Sequence, residues 1–409
     1  MKLDPQMPRR RILFLSYLYP SFNGSGTQIR AAALVRMLAS RDDVFLLAAN
    51  HYDRLPGPTD PELEAFCHKI LYVRLVPGEA TRQAWHPVEY LADWAKFPHL
   101  DCQTGHVAAA IQDFYQQNNL DKLFVFRMES FFLLEGSLDQ FPGAWLDLDE
   151  STFRRNQQIE QLKSQARGIR LDPEQCRANA VIRVIENKVI PRFEKVFVSS
   201  EEEARDARRV RPQGGIEVMP NVFPDRTALT GSPADKPREI LFVGTLSYYP
   251  NEDAVRYFCR DIFPLIRRVL GDSILFRIVG FGCPPGLREV GEEPGVSLMG
   301  FQEFLEPYYA QASLVVVPLR AGTGTRLKIL ESFVYGRPVV STSIGAEGLD
   351  VTDGDNILLR DQPETFAQAC LQLLDQPELA QRLVEGGRCL HRNRYSLDHL
   401  LRCYGQSLS

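Results

Sequence analysis

Val315-Val-Val-Pro-Leu-Arg-Ala-Gly322-Thr-Gly-Thr-Arg326-Leu-Lys328-Ile-Leu-Glu331-Ser-Phe-Val-Tyr-Gly336-Arg-Pro-Val-Val340 decides the architecture. An apolar run of strand length ends in a Gly-Thr-Gly-Thr loop, which opens straight into a helical pattern with Leu327, Leu330, Phe333 and Val334 apolar. Gly336-Arg337-Pro338 closes that helix in the usual order, a glycine just past the last turn and a proline beyond it. A second apolar run follows at once. The spacing predicts a strand at 314–318, a helix over 326–336 and a parallel strand at 338–341, the unit of an α/β sheet covered on both faces.

The same alternation extends in both directions. Downstream of Pro220-Asn221 and the polar stretch 225–238, strands are expected at 239–243, 274–279, 296–299 and 356–359, with helices at 251–270, 303–312, 363–373 and 377–394. Upstream, strands are expected at 12–16, 44–48, 70–75, 123–126, 144–148 and 195–199, with a helix at 28–40 and a charged helical stretch over 151–190. A chain of 409 residues exceeds one ordinary core and fits two domains of about 150–200 residues each. The expected division is a Rossmann-like domain over 1–222, a second over 223–396, and a terminal helix at 397–409 packing back on the first. Ligands in such sheets sit beyond the carboxyl ends of the strands, where the strand order reverses. Function is therefore sought in the loops that follow strands.

Composition narrows the function classes. A net charge of −5 offers no extended basic face for nucleic acid, and the cluster Arg205, Arg208, Arg209 and Arg211 reads as a solvated helix face. No stretch approaches the roughly 18 apolar residues of a membrane span, and the run after Arg11 lacks the features of a signal peptide. Eight cysteines without a Cys-x-x-Cys pair and seven histidines without a His-x-x-x-His pair argue against a disulfide framework or a metal site. The expectation is a cytoplasmic, reduced protein with no metal and no resident cofactor.

The Gly-Thr-Gly-Thr loop is the clearest candidate site. Its backbone N–H groups lie at the positive end of a helix dipole, a natural place for a diphosphate, and Gly322 and Gly324 allow close approach. Arg326 and Lys328 put two cations in a turn where the dipole disfavours cations by ~0.3–1 kcal/mol. An arrangement that costs stability implies an anion there. Glu331, on a helix otherwise apolar, needs hydrogen-bond donors, and the two hydroxyls of a ribose would supply them.

At this point the chain resembles retaining glycosyltransferase family four, whose members have the GT-B fold, two doubly wound Rossmann-like domains facing a cleft. Besides 315–340, the resemblance rests on five shorter stations. These are Val198-Ser-Ser-Glu-Glu-Glu203, Val218-Met-Pro-Asn221, Phe242-Val-Gly-Thr-Leu-Ser-Tyr-Tyr-Pro-Asn251, Ile278-Val-Gly-Phe-Gly282 and Val296-Ser-Leu-Met-Gly-Phe301. It implies transfer of a sugar, with retention, from a nucleotide diphosphate sugar to an acceptor that is a glycan, a lipid-linked carbohydrate or a small molecule, with peripheral membrane contact left open. Gly244, Gly282, Phe301, Thr323, Gly324, Thr325, Leu327 and Glu331 would line the donor site; Arg326 and Lys328 would neutralise the departing diphosphate. Glu331 matches the second glutamate of the family's Glu-x7-Glu pair, while Thr323 stands where the first belongs. The family's Arg and Lys after the first strand of the second domain are missing from Gly244–Asn251.

In the first half, Gly24-Ser-Gly26-Thr27 occupies the place of the family's glycine loop near the donor phosphates, with a plain turn as the competing reading. Arg30 is expected to face the cleft. Asp149, after the strand at 144–148, is the candidate to touch the sugar or an acceptor hydroxyl, together with Glu150; solvated loop carboxylates are the competing reading. The aromatic group Trp85, His86, Tyr90, Trp94 and Phe97 is placed near the acceptor or on a packed helix face. A non-catalytic nucleotide-sugar-binding relative and a nucleotide-sugar epimerase remain as alternatives.

Overall fold

The protein is seen in a computed structural model that describes residues 9–50, 61–74, 101–167, 173–226 and 238–403. The aromatic group at 85–97 lies outside the described residues. The chain divides into two compact units, one of Met1–Arg154, Leu171–Val222 and Leu400–Ser409, the other of Arg155–Arg170 and Phe223–His399. The division passes through the helices Thr152–Arg167 and Leu397–Cys403.

The first unit holds a seven-stranded sheet in the order β3-β2-β1-β4-β5-β6-β7. Its strands are β1 (Arg11–Ser16), β2 (Asp43–Asn50), β3 (Cys67–Arg74), β4 (Lys122–Phe126), β5 (Trp145–Asp149), β6 (Lys195–Val198) and β7 (Ile216–Val218). Every described pairing is parallel. Parallel strands joined by crossover helices are covered on both faces, which is why β1 and β4 read as unbroken apolar runs and are almost wholly buried. The rings of Phe14, Phe124 and Phe197 stack across this sheet at centroid distances of 5.2 and 5.7 Å.

The second unit repeats the plan with six strands in the order β10-β9-β8-β11-β12-β13. These are β8 (Arg238–Val243), β9 (Ile274–Val279), β10 (Val296–Gly300), β11 (Leu314–Val317), β12 (Val339–Ser341) and β13 (Leu358–Leu359), again all parallel. Both sheets start in the middle, wind to one edge, then return and wind to the other. The order therefore reverses between β1 and β4 in one sheet and between β8 and β11 in the other, and each reversal opens a crevice at the carboxyl ends of those strands.

Two departures from the sequence reading have local causes. The helix expected over 251–270 is broken into Tyr249–Tyr257, a π-helical turn Phe258–Ile262 and Phe263–Leu270. Pro264 lacks an N–H and its ring crowds the preceding turn, so the ladder widens before it. The helical run expected to 394 likewise ends at Leu390 and passes into a π-turn, His391–Tyr395. The short strand β7 was not expected from the sequence at all.

The first unit carries a charge pair deep inside. Arg30, on the helix Gly26–Ala39, is 2% exposed and grips Asp147 of β5 with two hydrogen bonds of 2.9 and 2.6 Å. The same guanidinium donates to the Met219 carbonyl at 3.0 Å and to Asn221 Oδ1 at 3.1 Å. Removing one member of such a pair leaves the other charge buried without compensation, at a cost of about 3–5 kcal/mol. Arg30→Ala should lower the unfolding free energy of the chain by about that amount in urea titrations followed by circular dichroism. A change under about 1 kcal/mol would show that the pair contributes nothing net.

Candidate functional site

In the second unit the crevice is flanked by the loop after β8 and the loop after β11. Gly322 and Gly324 adopt φ of +120° and +73°, conformations that side-chain-bearing residues rarely reach, and together they turn the chain from β11 into the helix Leu327–Tyr335. Arg326 is the residue before the first helical turn, with φ −85° and ψ 87°. Its side chain folds back over the loop, where Nη1 donates to the Thr323 carbonyl and, at 3.1 Å, to the Gly324 carbonyl. A Cβ at Gly322 would stand 2.8 Å from Arg326 Nη2, so the glycine makes room for this fold. Arg326 is only 9% exposed, and Nε and Nη2 have no hydrogen-bond partner among the described residues. Leaving a buried donor unsatisfied costs about 1–3 kcal/mol, which an acceptor oxygen placed there would recover.

Lys328 completes the cationic pair. Its Nζ donates to Asn251 Oδ1 at 2.7 Å and lies 4.3 Å from the centroid of the Phe242 ring. Asn251 is fixed in turn by donating from Nδ2 to the Thr245 carbonyl at 2.9 Å. Gly244 faces both: a Cβ there would lie 2.9 Å from Lys328 Nζ and 2.9 Å from Asn251 Nδ2. Burial, together with the neighbouring Arg326 charge, lowers the Lys328 ammonium to about 7. One N–H of the loop is already engaged, since Gly322 donates to Gln158 Oε1 at 2.9 Å. Arg320, just before the loop, is tied to Asp253 by hydrogen bonds of 2.9 and 2.6 Å and lies over the Tyr257 ring.

Glu331 sits one turn beyond Leu327, and its Oε2 accepts a 3.0 Å hydrogen bond from the Tyr309 hydroxyl. Burial raises its carboxyl to about 7, against the pull of that hydrogen bond and of Lys328. Thr323 is buried in the loop, Thr325 and Leu327 are partly exposed, and Gly324 lies between them. Gly282 adopts φ +74°, and a Cβ there would stand 2.7 Å from Ser247 Oγ. Phe301 projects from the end of β10 with 68% of its surface exposed, edge-on to Phe281 at a centroid distance of 6.5 Å. The predicted donor residues of this unit thus ring the ends of β8, β9, β10 and β11.

The crevice of the first unit is built differently. Gly24 is close-packed under Gln28, whose Oε1 accepts from the Ser25 N–H at 2.9 Å and so caps the helix that begins at Gly26. Arg30 lies inside the unit on Asp147, not on an open face. Asp149 is buried rather than solvated: its carboxylate lies 3.5 Å from Arg30 and 3.4 Å from Arg127, and accepts from Asn221 Nδ2 at 3.2 Å. Burial pushes its carboxyl up, but Arg30 and Arg127 outweigh that and hold it below the ordinary value. The cluster Arg205, Arg208, Arg209 and Arg211 is satisfied locally by Glu202, Glu201, Asp206 and the Phe193 and Glu194 carbonyls.

Three participants escaped the sequence reading. Arg127, directly after β4, has φ +64° and reaches Thr27 Oγ1, Asp149 and Glu150 at 3.4 Å each, while its Nε lies 3.8 Å from the Glu129 carboxylate and makes no hydrogen bond among the described residues. Its only sequence signal is a charge following an apolar strand. Asn251 had the same faint signal, a polar residue after a strand and turn. Tyr309 had none, because in sequence it reads as part of an apolar helix face.

Residues 237–376 match the family described as Glycosyl transferases group 1. An α-D-kanosaminyltransferase of Streptomyces kanamyceticus is 30% identical over 167 residues, 39% of this chain and 42% of that protein. The match spans about two fifths of the length of the curated relatives. Sucrose-phosphate synthase of Thermosynechococcus elongatus superposes with a TM-score of 0.72 at 18% identity, covering 98% of each chain. Anabaena HepE, solved with UDP and glucose, gives 0.64 at 14% identity over 98% of this chain and 99% of that one. The chain has the GT-B fold.

A lysine that titrates near neutrality makes anion binding take up protons. At pH 8, binding of sulfate, which stays a dianion across this range, should draw a fraction of a proton from solution, and its affinity should fall as pH rises through about 7. Calorimetry in two buffers of different ionisation enthalpy reads this uptake. Lys328→Met should reduce it sharply; undiminished uptake in that variant would place the anion elsewhere.

Proposed function

We propose that this chain is a glycosyltransferase that moves a sugar from a nucleoside diphosphate donor to a carbohydrate or lipid-linked acceptor, with retention of configuration. The observation that carries the reading is Arg326: a buried guanidinium with two unpartnered nitrogens, folded over a glycine loop at the reversal between β8 and β11. The group 1 match over 237–376 supports it independently, because that span contains Gly244, Lys328, Glu331 and the loop that carries Arg326.

The diphosphate is placed against the Thr323–Thr325 loop, Arg326 and Lys328, with Gly244 leaving space beside the ammonium. Glu331 holds the ribose hydroxyls, and Thr325 and Leu327 pack along the nucleotide. Gly282 and Phe301 border the base. The Thr323 hydroxyl takes the place of the glutamate missing from the family pair and meets the sugar. Asp149 contributes through Arg127, which its carboxylate orients at the crevice of the first unit, where Gly24 and Gly26 shape the loop opposite. Catalysis in this reading needs no protein nucleophile. As the bond from the anomeric carbon to the diphosphate breaks, Arg326 and Lys328 stabilise the charge that builds on the leaving oxygen. The acceptor hydroxyl attacks the anomeric carbon from the same face, and its proton passes to the departing phosphate oxygen. Binding both substrates in that geometry supplies the rest. We place the activity in the cytoplasm, with no metal and no bound cofactor, and with contact to a membrane only at the periphery.

The threonine at 323 also favours a second reading, a binder that has lost turnover. A panel of UDP-, GDP-, ADP- and dTDP-sugars, assayed for release of nucleoside diphosphate, separates the two. The enzyme reading expects release from at least one donor, a fall of about 100-fold or more in kcat/KM for Arg326→Ala, and a donor KM raised about tenfold for Glu331→Ala. Tight nucleoside diphosphate binding with no release from any donor would establish the binder. Unchanged turnover in both variants would remove the site assignment altogether.

A further inference from the structure

Glu331 is held by a reciprocal arrangement between two helices of the second unit. Tyr309, on the helix Glu306–Gln311, donates its hydroxyl to Glu331 Oε2 on the helix Leu327–Tyr335 at 3.0 Å. In the opposite sense Tyr335, on the second helix, donates to Glu306 Oε1 on the first at 2.9 Å. The two rings lie stacked between these bonds, with centroids 4.6 Å apart and planes inclined by 27°. Tyr309 is fully buried and Tyr335 nearly so.

The physical consequence is a glutamate with little freedom. A glutamate side chain ordinarily turns about three bonds, and freezing such a chain on a ligand costs entropy each time the ligand binds. Here that cost is met on folding. The rings cannot slide without breaking two hydrogen bonds at once, and each tyrosine keeps the other's helix in register. Only Oε2 of Glu331 is used, and Oε1 accepts no hydrogen bond from the described residues. A carboxylate with one oxygen anchored and the other unused is prepared to accept from a hydroxyl pair in a fixed direction.

We propose that this crossed tyrosine–glutamate exchange makes Tyr309 the positioning residue for Glu331, setting the ribose preference of the donor site without Tyr309 touching the ligand. The inference rests on the assignment of Glu331 to the ribose under the proposed function. It also fixes the direction in which the site responds to pH. The Tyr309 hydroxyl lowers the Glu331 carboxyl from where burial alone would put it and the Glu306 charge raises it, while the Lys328 and Arg226 charges, which also lower it, are common to every variant. Losing the first should therefore move the protonation of Glu331 to higher pH, and losing the second should move it to lower pH.

The test uses the full chain and titrates UDP, GDP and ADP against their 2′,3′-dideoxy counterparts from about pH 6 to about pH 8. The wild-type chain should bind one nucleoside diphosphate about tenfold more tightly than its dideoxy form, losing the preference as pH falls through about 7. Tyr309→Phe, which deletes one oxygen and keeps the stacked ring, should lose most of the preference at pH 7 and shift its midpoint upward. Glu306→Gln should shift the midpoint downward. Displacements of opposite sign cannot arise from a general loss of fold. Should Tyr309→Phe fail to fold, the Glu306→Gln midpoint decides alone. If Glu331→Gln abolishes the preference while Tyr309→Phe and Glu306→Gln keep the wild-type value and midpoint, the positioning role is overturned and the ribose assignment stands. If the wild-type chain shows no preference for any ribonucleotide over its dideoxy form, the ribose assignment itself falls.

Discussion

Two like charges held side by side with no carboxylate on either is the constraint around which the second unit is arranged. Arg326 and Lys328 donate their hydrogen bonds to backbone carbonyls and to the Asn251 amide oxygen, and among the described residues neither forms an ion pair. Their mutual repulsion, added to burial, is what brings the lysine close to neutrality. Glycines at 322 and 324 and the residue at 244 make sense in this light. Gly322 and Gly244 remove side chains that would press on Arg326 and Lys328, and Gly324 supplies the left-handed backbone of the turn that carries them. Arg320, by contrast, is neutralised by Asp253 and anchors the loop from behind. The chain thus separates a structural arginine from an arginine kept in want of a partner six residues later.

The first unit solves the opposite problem. Its charges at the carboxyl ends of β4 and β5 are buried together and satisfy one another, Arg30 with Asp147 and Arg127 with Asp149 and Glu150. Arg127, the residue after β4, and Asp149, the last residue of β5, both take left-handed backbone conformations with φ of +64° and +60°. Such conformations in residues with side chains cost of order 1–3 kcal/mol and persist only where the surroundings fix them. Here the surroundings are the charges themselves, so backbone strain and ion pairing are coupled at one place in the sheet.

Much of this was legible in the residues, for identifiable reasons. Buried parallel strands are continuous apolar runs, so β1, β4 and β11 announce themselves. The β11–loop–helix passage was visible because glycine, cation and apolar periodicity coincide within twenty residues. Three-residue β7 was not, since it lies between Gly215 and Pro220 with no room for a pattern to develop. The helix breaks at the π-turns were hidden because an apolar face continues through them. At the site, Glu331 stood out as a carboxylate on an apolar helix, whereas Tyr309 looked like any core aromatic. What made it relevant was a partner twenty-two positions away on a different helix. Arg127 was hidden for the same reason on a larger scale, its contacts being set by how β1, β4 and β5 lie side by side and not by any local spacing. The opposite case is Arg30, which looked available and proved to be sealed in by Asp147, Met219 and Asn221.

The glycine at 280 has a consequence for how such a site can diversify. A methyl group there would strike the carbonyl oxygen of Gly244, and the Gly280 N–H is committed to the Gly300 carbonyl at 3.0 Å. Three chain crossings are therefore stitched backbone to backbone directly beneath the crevice, with no side chain between them to exchange. The foundation is closed to mutation, while Phe281 and Phe301, rooted one residue away on the same strand ends, stand in solvent and touch little besides each other. Variation that retunes what the crevice accepts has to accumulate in that outer ring, and an engineer seeking a new ligand would randomise there and leave the glycines alone.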